Sequence, residues 1–181
     1  LCSRLEEGKL FSEALRDAHA QGYTEPDPRD DLNGMDVARK LLILARTAGY
    51  NITIGENLDI NPFIPEEFLS DEPVEDFMAK VEMADDYFAG RISEASVNGN
   101  TLRYIARFRA RGNELHASTG LQDVPINGSL GSLHGTANKI VITSHTYKPI
   151  SPYIVQAPGA GLEITAQNIR RDLLYQLRGR E

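Results

Sequence analysis

Between Gly22 and Gly34 the chain reads GYTEPDPRDDLNG. Two prolines and two glycines within this short segment interrupt any regular element, so a loop is expected, separating two helical stretches. Upstream, Leu1 to Gln21 has a helical pattern broken at Gly8, with Phe11, Ala14, Leu15 and Ala18 at spacings of three and four. Downstream, Met35 to about Ala48 is a strong helix that stops at Gly49, the position a helix C-cap favours.

The rest of the chain changes period. Leu58 to Pro65 reads as a short strand, and Pro73 to Val97 as a helix in two pieces meeting near Met83. Phe77, Met78, Met83 and Phe88 fall at helical intervals and are expected in the core. Leu102, Tyr104, Ala106 and Phe108 alternate on one side of a strand, Thr101 to Ala110, with Ile105 on the other. Arg111-Gly112-Asn113 is a hairpin turn, and Glu114 to Ser118 is the returning strand. Gly120 to Gly135 reads as a turn-rich loop. Lys139 to Thr146 and Ser151 to Ala157 are the next strands, and Glu163 to Leu177 is a closing helix. Helices first and hairpin-connected strands after them give an α+β fold: a mixed, largely antiparallel sheet with helices packed on one face.

Composition narrows the function classes. The 181 residues carry a net charge of −7, and the basic ones are scattered, which argues against a nucleic-acid partner or an anionic membrane surface. The longest purely apolar run, Leu41 to Ala45, falls far short of the roughly 20 residues of a membrane span. A single cysteine, Cys2, excludes an internal disulfide framework and suits a reducing, cytoplasmic setting. The four histidines, His19, His116, His134 and His145, lack metal-ligand spacing, and no metal site is expected.

The chemistry concentrates between Gly22 and Lys40. Glu25, Asp27, Asp30, Asp31 and Asp36 crowd together there, with Arg29, Arg39 and Lys40 as the nearby cations. Pro26 and Pro28 stiffen the loop and lower the entropy cost of fixing its side chains. One reading is a solvated acidic loop and a helix cap, with Asn33 and Asp36 as a capping box and Asp36–Lys40 as an i,i+4 ion pair. The other comes from the helix. Val37, Ala38, Leu41, Leu44, Ala45 and Ala48 form one broad apolar face, and Asp36 and Lys40 lie about 40° apart on the opposite side, beside Ile43. That edge is expected to be half-buried, and a half-buried lysine flanked by carboxylates is a candidate acid–base group.

These residues, GYTEPDPRDDLNGMDVARK, closely resemble the signature of homoserine dehydrogenase. SRLEEGKLFSEALRDAHAQ before them, KLLILARTAGY after them and SHTYKPISPYIVQAPGAGLEITA near the end are similar to other parts of that family. The resemblance implies an oxidoreductase that interconverts L-homoserine and L-aspartate 4-semialdehyde in threonine and methionine biosynthesis. By position, Lys40 matches the proton-transfer lysine and Asp36 the aspartate that hydrogen-bonds the substrate hydroxyl. Glu25 matches the glutamate that holds the substrate ammonium, and Asp31 another acid of the same pocket.

The resemblance also implies a homodimer through the sheet, and NADP or NAD bound mainly by a Rossmann-type domain that precedes this region in family members. The sequence opens at Leu1 inside a helical pattern and is expected to be a single catalytic domain, 1–181, supplied without that nucleotide-binding half. A bifunctional aspartokinase–homoserine dehydrogenase is one parent consistent with this pattern. The alternative is that the piece by itself is a non-catalytic dimerisation module. At Pro158-Gly-Ala-Gly161 a strand leads through Gly-x-Gly into a helix, yet Ile164 stands where a dinucleotide fingerprint has its third glycine. A tight turn explains those glycines as well; the resemblance makes Gly161 a cofactor contact.

Overall fold

The computed structural model describes residues 1–69, 71–135, 137–159 and 162–178. They fall into two compact units, Leu1–Ile126 and Asn127–Glu181.

The first unit begins with α1 (Cys2–Glu6) and α2 (Phe11–Ala20), separated at Gly8. The loop after α2 is not wholly irregular: Arg29–Leu32 forms a single helical turn, α3. Pro28 opens that turn, where proline's fixed φ fits the helix and its missing N–H costs nothing. Next come α4 (Met35–Thr47), a short strand β1 (Leu58–Ile60), α5 (Val74–Lys80), a 3-10 stretch Val81–Ala84 and α6 (Asp85–Val97). The break between α5 and α6 thus lies at the place the sequence suggests. Met83 itself is exposed, because it sits on the outer side of the 3-10 stretch whose Val81 and Ala84 turn inward.

The long hairpin β2 (Asn100–Arg111) and β3 (Glu114–Pro125) comes after α6, and the sheet order is β1-β3-β2, with β1 parallel and β2 antiparallel to β3. The strand assigned to Glu114–Ser118 therefore runs on to Pro125. Gly120 belongs to the ladder opposite Ile105, because β3 is the central strand and has partners on both sides. Asn61 reinforces that junction, donating to the Thr119 carbonyl from its backbone N–H (3.1 Å) and its side chain (3.0 Å). The strand expected over Leu58–Pro65 shrinks to Leu58–Ile60 once the chain meets Pro62.

Two apolar clusters lie against this sheet. Phe11, Leu15, Phe63, Phe77 and Phe88 form one with Leu5, Leu32 and Ile64, and Tyr104 of β2 packs on it. Phe11 and Phe88 stack with centroids 4.2 Å apart. In the other, Ala38, Leu41 and Ala45 of α4 meet Ile52, Leu58 and Ala117, with Ala106 and Phe108 alongside. Tyr104, Ala106 and Phe108 alternate onto one side of β2, so the helices cover a shared face of the sheet.

The second unit contains β4 (Ala137–Ile142) paired antiparallel with β5 (Tyr153–Pro158), and α7 (Leu162–Arg178). Ile140, Ile142, Tyr153 and Val155 share one face of the two-stranded ribbon and are exposed. Gly161 lies outside the described residues. Among the described residues, no helix is long and apolar enough to cross a membrane.

Candidate functional site

The acidic loop is anchored from beneath. Pro28 and Leu32 are fully buried, and the Phe63 N–H donates to the Leu32 carbonyl at 2.7 Å. Burying a leucine contributes about 1.5–3 kcal/mol, enough to hold a one-turn helix that propensity alone would not. Arg29 adds a clasp. Its guanidinium donates to both oxygens of Asp27 (2.9 and 3.1 Å from Nε, 2.7 Å from Nη2) and to the Glu72 carbonyl (2.7 Å), and lies 5.5 Å over the Phe77 ring. The hydrogen bonds from Arg29 hold the Asp27 carboxyl below the usual carboxylate range. Charge crowding in the loop is thus relieved by pairing one acid internally.

Glu25 and Asp31 are brought together differently. The Glu25 backbone N–H donates to Asp31 Oδ2 at 2.8 Å, so Asp31 fixes the main chain of Glu25 rather than facing its side chain. The Glu25 carboxylate is exposed and has no hydrogen-bond or ion-pair partner among the described residues. It is a negative group on an anchored main chain, open to a cation.

Asp36 and Lys40 meet as the helical spacing requires, with Nζ 2.6 Å from Oδ2. Their side chains are 63% and 64% exposed, so the half-buried edge expected from the apolar content of α4 is not present. α4 lays one narrow stripe, Ala38, Leu41 and Ala45, on the sheet, and leaves Ile43 and Leu44 in solvent. The capping box is also absent. Asn33 Oδ1 accepts from the Met35 N–H at 2.8 Å, while Asp36 turns along the helix to Lys40.

What fixes the start of α4 is a close approach that the sequence pattern did not single out. Gly34 precedes the helix at φ +78°, a backbone region glycine enters without strain. A Cβ there would come within 2.0 Å of the Tyr104 hydroxyl, which donates to the Asn61 carbonyl at 2.6 Å. Burial pushes the Tyr104 phenol pKa up, so it stays a donor. The sheet therefore sets the first turn of α4, and with it Asp36 and Lys40. Among the described residues, neither the Asp36–Lys40 pair nor the Glu25–Asp31 pair bonds the other; the α3 turn joins them through the chain.

At the turn after β5, Gly159 is the last residue described before α7. A Cβ on Gly159 would meet Asn138 Nδ2 at 2.2 Å, so that side of the turn is filled by the Asn138 carboxamide. The described residues contain no group of three or more His, Cys, Asp or Glu able to hold a metal ion.

Comparison with known proteins adds an independent line. The family model described as homoserine dehydrogenase matches residues 1–174. A bifunctional aspartokinase/homoserine dehydrogenase of Buchnera aphidicola is 40% identical over 174 residues, which are 96% of this chain and 21% of that protein. A homoserine dehydrogenase of Emericella nidulans is 38% identical over 168 residues, 91% of this chain and 45% of that one. Among solved structures, a Candida auris protein of unknown function superposes with a TM-score of 0.80 at 34% identity, over 92% of this chain and 46% of that chain. A Thiobacillus denitrificans homoserine dehydrogenase shares the fold, with a TM-score of 0.69 at 23% identity over 95% of this chain and 35% of that one. The chain spans less than half the length of each of these proteins.

Proposed function

The chain belongs to the homoserine dehydrogenase family, and from that premise we propose that it is the substrate-binding and proton-transferring part of such an enzyme. The reaction is the interconversion of L-homoserine and L-aspartate 4-semialdehyde, on the route to threonine and methionine. Its hydride carrier is NADP or NAD, held mainly by a separate nucleotide-binding domain. The observation that carries the reading is the Asp36–Lys40 pair, 2.6 Å apart and open to solvent, beside a buttressed loop that presents the unpartnered Glu25 carboxylate.

Oxidation of the primary alcohol removes a hydride from carbon and a proton from oxygen. Lys40 Nζ takes the hydroxyl proton, and in the reverse direction the ammonium returns it to the forming alkoxide. Asp36 receives the hydroxyl's hydrogen bond as the substrate docks, and it orients the Lys40 nitrogen that then takes this one proton. Glu25 holds the substrate ammonium, and Asp31 keeps the Glu25 backbone in place. A lone solvated ion pair on a helix would contribute only a few tenths of a kcal/mol.

The ammonium is charged alike in ground and transition states, so Glu25 supplies uniform binding. In the full enzyme Glu25→Gln should raise the homoserine KM by about tenfold or more, the loss of a charge-assisted contact, and leave kcat within a fewfold. An unchanged KM would remove Glu25 from the site.

A further inference from the structure

The Glu25 main chain is held at both of its polar groups. Its N–H is bound by Asp31 at 2.8 Å, and its carbonyl accepts from the Thr24 hydroxyl at 3.0 Å. Thr24 Oγ1 lies in turn 2.8 Å from His19 Nδ1, on the last turn of α2. A threonine hydroxyl has a single proton, and here it goes to the Glu25 carbonyl. The contact with His19 must then be a donation from Nδ1–H to a lone pair of Oγ1. Both the imidazolium and the neutral Nδ1–H tautomer make that donation, so the link does not depend on the charge of the ring.

The elements behind the relay are firm. The α2 end is closed by Gly22 N–H to the His19 carbonyl (3.0 Å) and Tyr23 N–H to the Ala18 carbonyl (3.0 Å), the paired bonds of a Schellman motif. Phe11, Ala14 and Leu15 bury the other side of α2. His19 thus sits on a rigid helix and reaches across the turn to the loop residue that precedes Glu25.

We infer that His19 is a positioning residue for Glu25, acting through Thr24 to fix the main chain from which the carboxylate reaches the substrate ammonium. This rests on the reading of Glu25 as the ammonium-binding group. Because His19 touches neither the reacting carbon nor the proton-transfer pair, its loss should weaken substrate binding and leave the chemical step alone.

The test is steady-state kinetics on the full enzyme. His19→Ala should raise the homoserine KM about three- to tenfold, the range one neutral hydrogen bond supports, with kcat and the KM for the dinucleotide unchanged. Thr24→Val, which removes the hydroxyl and keeps the shape, should reproduce that rise. His19→Asn should restore the wild-type KM, since its Nδ2 can take the place of the ring Nδ1 as donor. In a Glu25→Gln background His19→Ala should add little, because it acts through the same group. If Glu25→Gln raises KM while His19→Ala and Thr24→Val do not, the relay is wrong and the site reading stands. If Glu25→Gln itself has no effect, the site reading is what fails. A fall in kcat with His19→Ala, uncorrected by His19→Asn, would also overturn the relay.

Discussion

Asp27, Asp31 and Glu25 occupy one short loop and have three different situations. Asp27 is clasped by Arg29, Asp31 accepts a backbone amide, and Glu25 keeps its carboxylate open. Sequence spacing identified the crowding but could not sort these roles, because the sorting depends on which acids the α3 turn brings within reach of a donor. The same holds for His19. A lone histidine near a helix end has no pattern to mark it, and its partner becomes visible only when the chain turns back at Gly22. The Asp27–Arg29 clasp predicts a pH signature. With the folded-state pKa below the unfolded value near 3.9, its stabilisation is complete above about pH 4 and is lost as pH falls through the folded value. Asp27→Asn should therefore lower Tm at neutral pH, with the gap to wild type narrowing as melts are taken to acid pH, below the unfolded value near 3.9. A gap that is the same at both pH values would mean the clasp acts through packing.

At the scale of elements, periodicity carried α2, α4, the α5–α6 break and the β2–β3 turn, because each has an uninterrupted apolar stripe and a clear stop. Gly49, at φ +91°, ends α4 as the pattern requires. The departures share one cause. α3, the continuation of β3 through Gly120 and the side of α4 that is buried are all decided by neighbours that are distant in sequence: Phe63 for α3, β1 for β3, and Leu58 and Ala117 for α4. The β4–β5 ribbon raises a separate point. A two-stranded ribbon is marginal in water by itself, and this one exposes Ile140, Ile142, Tyr153 and Val155 on one face. We propose that a second copy of the chain covers it, giving a homodimer through the sheet. Light scattering should give twice the 20.0 kDa chain mass at micromolar concentration. Ile142→Lys should shift the protein to monomer. A wild-type monomer mass would contradict this assembly.

For the molecule as a whole, family membership was legible from a single contiguous motif, since the loop and the start of α4 lie next to each other in sequence. How the motif is held was not: Gly34 against Tyr104, and Leu32 beneath the loop, join segments far apart in the chain. The function proposed above divides the labour: this part binds the amino acid and moves the proton, and the hydride carrier is held mainly elsewhere. Lys40 is the residue on which that division depends. In the full enzyme, Lys40→Ala, with circular dichroism confirming the fold, should lower kcat and kcat/KM together by on the order of 10²–10⁴-fold, the worth of a positioned acid–base group. A Lys40→Ala enzyme whose kcat stays within a fewfold of wild type would contradict the proton-transfer role, and would reduce the Asp36–Lys40 pair to a surface contact on α4.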